Sequence, residues 1–150
     1  MTAGLIVCIG VLAVASVFGV AWRRRDGVLR AARRPAPAGL TAAELGQPLG
    51  PRGTLVQFST AFCAPCRATR RILGEVAGMV DGVVHVEIDA ESHLHLVRRL
   101  GILSTPAVFV LGPDGAIVRR GTGQPRKADV IAALGAIAAD AIAADATAAT

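Results

Sequence analysis

The chain's 150 residues give room for one domain of ordinary size and not for two. Hydrophobic residues at 53% against 18% charged exclude a disordered or highly charged tail protein. The net charge of +5 is local: residues 1–34 hold Arg23, Arg24, Arg25, Arg30, Arg33 and Arg34 against Asp26 and the remainder nets to zero, which with 3% aromatics and no tyrosine removes nucleic acid as a partner.

In chain order, residues 3–22 come first, an uncharged apolar run closed by Trp22. At 1.5 Å per residue such a helix spans about 30 Å, so the run is expected to be a transmembrane helix with the tryptophan as interfacial anchor and Cys8 as an apolar filler. Positive charge follows the run instead of preceding it, which is the reverse of a cleaved signal peptide. The same arginines predict a single-pass protein in the cell membrane, bound to the bilayer through residues 3–22, with the N-terminus outside and the domain that follows in the cytoplasm, an extracytoplasmic domain being the alternative. Residues 23–53, rich in Arg, Ala, Pro and Gly, read as a basic juxtamembrane linker, with a helical turn at 40–46 near the domain edge.

Regular alternation begins at Thr54. A strand is predicted over 54–59, a helix from Pro65 to about Ala77, a strand over 83–88, and a helix over 92–100 ended by Gly101. A strand at 107–111, the turn Gly112-Pro113-Asp114-Gly115, a strand at 116–120 and a helix from Arg126 to about Ala139 complete a domain at 54–139. Residues 140–150 are an Ala-rich tail. Strands joined first through helices and then through a hairpin imply a central mixed sheet flanked by helices, an α/β fold.

The chemistry is carried by Cys63-Ala64-Pro65-Cys66, between a predicted strand and a predicted helix. A thiol at a helix start sees unpaired N–H groups and the positive end of the dipole, which stabilises its thiolate and marks Cys63 as the nucleophile. Cys66, three residues on, sits one turn inside, within reach of a disulfide with Cys63. Pro65 suits the first turn, where no N–H is needed. The competing accounts are two structural thiols and a zinc half-site. The zinc site lacks ligands: only His85, His93 and His95 remain besides Cys8, and His93 and His95 are expected to point apart on a helix. No metal and no organic cofactor is implied.

STAFCAPCRATR, the strand before it and Ser104-Thr105-Pro106 ahead of a later strand together resemble the thioredoxin family over roughly residues 54–139. The resemblance implies a thioredoxin-like fold, with Pro106 as a cis-proline beside the dithiol and Thr105 as the residue whose backbone pairs with substrate. Forty positions separate Cys66 from Pro106, leaving no room for the insertion of cytochrome-maturation relatives. Phe62 replaces the usual tryptophan of the substrate rim, and Ala64 the usual glycine. The family's buried carboxylate, six positions before the nucleophile, falls on Gln57, and an amide cannot act as a base. His85 falls where a lysine is common and is a candidate titratable group. Arg67 is a candidate modulator of the thiols, while Arg70 and Arg71 are expected on a solvated face.

The chain is therefore expected to be a membrane-tethered protein-disulfide reductase. Cys63 attacks and Cys66 resolves, and the partners are disulfide- or dithiol-containing proteins. Two alternatives stay open: a redox-idle binding module on the same fold, and an extracytoplasmic reductase for cytochrome maturation.

Overall fold

The computed structural model describes the backbone of residues 2–25, 27–31 and 39–148, and the side chains of residues 4, 6–21, 27–31 and 39–140. Its elements are α1 (Thr2–Arg25), β1 (Arg30–Ala31), α2 (Ala42–Leu45), β2 (Gly53–Ser59), α3 (Ala64–Met79), β3 (Val83–Asp89), α4 (Leu94–Leu100), β4 (Ala107–Leu111), β5 (Ile117–Thr122) and α5 (Lys127–Ala148). The strands form one sheet in the order β1-β5-β4-β2-β3. β2 and β3 run parallel, whereas β4 and β5 run antiparallel to their neighbours, so the expected mixed sheet is present.

Alternation along β2 builds two cores from one strand. Leu55 faces α3 and α5, where it meets Leu73, Val76, Val130 and Leu134. Val56 and Phe58 face the other way, onto Leu45 of α2 and Leu96 and Leu100 of α4. Phe58 meets Phe109 of β4 edge to face, with ring centroids 5.7 Å apart. Every residue of β2 and β4 is buried. Each large apolar side chain removed from water this way contributes about 1.5–3 kcal/mol, and the two-sided burial makes β2 a rigid platform for the turn and helix after Ser59.

Within the range expected to be a linker, β1 pairs antiparallel with β5. Thr41 and Glu44 close a capping box on α2, and Leu40 and Leu45 are core residues. The stretch is anchored at Gly115 of the β4–β5 turn, whose C=O accepts from the Leu40 N–H at 3.0 Å. Gly115 has φ +81°, and a Cβ there would lie 2.3 Å from the Leu40 carbonyl oxygen. The Pro-rich centre of the expected linker, residues 35–38, lies outside the described residues, as do Arg33 and Arg34.

The reading of residues 3–22 as a transmembrane helix is corrected. Those residues are helical within α1, but among the described residues no helix is long and apolar enough to cross a membrane. Single-pass membrane location, bilayer contact through residues 3–22 and cytoplasmic placement of the domain all rested on that span and are corrected with it. The side chains of Trp22, Arg23, Arg24 and Arg25 lie outside the described residues. Cys8 is exposed and unbonded.

Candidate functional site

β2 delivers the chain to a short turn at 60–62, and α3 starts directly after it. Cys63 is the N-cap of α3, with Pro65 in the first turn. Its Sγ accepts from the Cys66 N–H at 3.2 Å, one of the donors a helix start leaves unpaired. Cys63 and Cys66 are joined in a disulfide, with Cα atoms 5.2 Å apart. Cys66 is buried at 2% exposure, while Cys63 is only partly covered.

The structure brings the second sequence motif to the first. The Thr105–Pro106 peptide is cis. The Thr105 hydroxyl lies 3.3 Å from that of Thr60 in the turn before Cys63. Pro106 is buried, and its C=O accepts from the Gly123 N–H at 2.8 Å. Phe62, beside Cys63, is 99% exposed, and Leu103, two residues before Thr105, is 96% exposed. Sequence reasoning singled out Phe62 and missed Leu103, because an apolar residue after a helix reads as core until the chain's path is known.

Beneath the disulfide, Gln57 is fully buried and its Nε2 donates to the Cys66 carbonyl at 2.9 Å. Among the described residues its Oε1 has no hydrogen-bond partner, and neither do Thr69 Oγ1 and His85 Nε2, also buried side-chain atoms. Burial pushes the His85 pKa below its ordinary value, against the pull of Glu87, so the imidazole is neutral at neutral pH.

Glu87 was not singled out from sequence. It is the register partner of Gln57 across the parallel β2–β3 pair. Ser59 Oγ donates to its Oε1 at 2.6 Å and Arg70 Nη2 to the same oxygen at 2.7 Å, while Arg70 Nε lies 2.6 Å from Oε2. Arg70 is thus not merely solvated: it forks onto Glu87 with both oxygens engaged. Burial pushes the Glu87 carboxyl up, but the Arg70 and Ser59 hydrogen bonds together outweigh it and the net direction is down. Beside the disulfide opens a cleft of about 480 Å³, lined by Ser59, Cys63, Cys66, Arg67, Arg70 and Glu87 among others. Arg67 is exposed and makes no ion pair among the described residues.

Among the described residues no group of three or more His, Cys, Asp or Glu side chains is placed to hold a metal ion. The rings of His93 and His95 are 6.2 Å apart instead of diverging. The reason is local: His93 is the N-cap of α4, with ψ 47°, so the angular spacing of a helix does not separate the pair.

A family model described as Thioredoxin matches residues 45–136. NADPH-dependent thioredoxin reductase 3 of Arabidopsis thaliana is 39% identical over 59 residues, which make up 39% of this chain and 11% of that relative. The chain therefore spans only about a tenth of that curated relative's length. Among solved structures, chloroplastic thioredoxin z is 28% identical with a TM-score of 0.53, over 58% of this chain and 79% of that one. Thioredoxin f from spinach chloroplast, in its short form, is 22% identical with a TM-score of 0.51, over 59% of this chain and 78% of that one, a likeness of fold alone.

Proposed function

The chain belongs to the thioredoxin family, and from that premise we infer that Cys63 and Cys66 form a redox couple that reduces disulfides in partner proteins. Family membership, the bonded cysteine pair and the thioredoxin neighbours support a thiol–disulfide oxidoreductase. The reductive direction and the roles of single residues are our reading. Cys63 as thiolate attacks one sulfur of a partner disulfide, giving a mixed disulfide and a partner thiolate. Cys66 then attacks Cys63, the second partner sulfur leaves, and the Cys63–Cys66 disulfide re-forms. Electrons return from a dithiol donor, with no metal and no organic cofactor in the cycle.

One observation carries the reading: the pair opens α3 with the Cys66 N–H directed at Cys63 Sγ. That donor and the helix dipole favour a thiolate on Cys63, while burial disfavours one on Cys66. Phe62 supplies the exposed apolar rim on which a partner rests, the buried cis-Pro106 holds the loop beside the dithiol, and the Thr105 backbone pairs with the partner's extended segment.

The test is insulin-disulfide reduction with dithiothreitol as donor. Turnover above dithiothreitol alone is expected for the full chain and not for Cys63→Ser. Cys66→Ser should accumulate a covalent partner through Cys63. A full chain that gives no turnover while folded and reduced would overturn the reading and favour the redox-idle binding module, the alternative to which the Gln57 amide lends weight.

A further inference from the structure

We propose that Glu87 is the proton acceptor for Cys66, a carboxylate moved one strand across the sheet to do what the Gln57 amide cannot. The proposal rests on the reductase reading of the cysteine pair. Three observations meet at this residue. Gln57 lies under Cys66 but is committed through its Nε2 to the Cys66 carbonyl and has no oxygen that can hold a proton at neutral pH. Glu87 is its register partner, so the two side chains share the sheet face that α3 covers. Glu87 also lines the cleft that Cys63 and Cys66 line, an opening through which water can carry a proton between Cys66 and a base.

The groups that face Glu87 fit the role. From α3 come Arg70, which holds both its oxygens, and Arg67 across the cleft; from β2 come the neutral Gln57 and Ser59. On its own strand stand His85 and Asp89. His85 is neutral, and its Nε2 is buried without a partner among the described residues. Asp89 is exposed and spends its oxygens on the Glu91 N–H and the Ser92 hydroxyl. Arg70 and Ser59 keep Glu87 ionised at neutral pH, able to take a proton briefly and pass it on.

The step balances. The Cys66 thiol gives its proton through cleft water to Glu87, and its sulfur forms a bond to Cys63 Sγ. The bond from Cys63 to the partner sulfur breaks, and the electron pair leaves with that sulfur. The proton then passes from Glu87 to the departing thiolate or to solvent. Cys63 and Cys66 end oxidised, and the partner ends reduced.

The experiment is stopped-flow reaction of the reduced full chain with 5,5′-dithiobis(2-nitrobenzoate) in equimolar amount. A first burst of thionitrobenzoate reports attack by Cys63, and a second reports resolution by Cys66. Glu87→Gln should retain the first burst and slow the second at least about a hundredfold at neutral pH, the low side of what a positioned base supplies. The loss should disappear above the Cys66 pKa, where the thiolate forms unaided. Glu87→Asp should recover part of the rate. Arg70→Gln breaks the same ion pair but keeps the carboxylate, so it should slow the second burst far less and move its acid limit to higher pH. A second burst in Glu87→Gln that matches the unmodified chain across the pH range would overturn the proposal, as would an equal loss in Arg70→Gln. Absence of the first burst in the unmodified chain would instead overturn the reductase reading on which it rests.

Discussion

His85 shows how one buried side chain makes stability depend on pH. Its pKa in the folded chain lies below the ordinary 6.5, because burial penalises the imidazolium. The unfolded chain therefore takes up a proton first as pH falls. The stability His85 contributes is complete above about 6.5 and is lost as pH falls toward its folded pKa. Urea denaturation between neutral and mildly acid pH should show this loss, and His85→Leu should flatten it. An equally steep loss in His85→Leu would assign it to another group. Gln57 could be found from the sequence because its place is fixed by a count back from Cys63 along a single strand. Glu87 could not. Its importance comes from pairing across β2–β3 and from Arg70 reaching over from α3, and neither relation leaves a periodicity in the chain.

Among the elements, α2 is the shortest helix, and side chains hold its ends. Thr41 Oγ1 accepts from the Glu44 N–H, Glu44 Oε2 accepts from the Thr41 N–H at 2.9 Å, and Glu44 Oε1 lies 2.6 Å from Arg99 of α4. The Arg99 hydrogen bond, followed by that from Thr41, holds the Glu44 pKa at about 2, down from 4.5. The contribution of Glu44 is therefore present above pH 4.5 and lost as pH falls toward about 2. Glu44→Ala should cost about 1 kcal/mol at neutral pH, most of it the cap, since a partly exposed ion pair adds little. Chemical denaturation in acid and at neutral pH checks both size and sign. The threonine and the glutamate three residues on were a readable signature. A composition rich in Pro, Gly and Ala hid it, and a two-residue strand such as β1 is too short to leave any pattern. The longer elements were legible: β2, β4 and α3 lie within two residues of their expected limits, because two-sided burial writes a continuous apolar run and an amphipathic helix writes a stripe.

At the scale of the whole molecule, the fold stands on its two cores and not on its disulfide. The Cys63–Cys66 bond closes so short a loop that chain-entropy arguments give it about 2 kcal/mol. Replacing both cysteines with serine should therefore lower stability by no more than that, with the far-UV circular dichroism unchanged. Loss of cooperative unfolding in that variant would show that the cores are insufficient. The contact between Gly115 and Leu40 bears on a different question, namely where the folding unit begins. Family likeness starts at residue 45, yet Leu40 is only 1% exposed and its amide is bonded to the β4–β5 turn. A chain cut to start at 45 discards that buried side chain and the Thr41 cap together, a loss of about 3 kcal/mol by burial and capping. Its urea midpoint should fall well below that of a chain starting at 39, and equal midpoints would show that the segment is ornamental. The part of the molecule that evolution makes recognisable is thus shorter than the part that physics requires to fold.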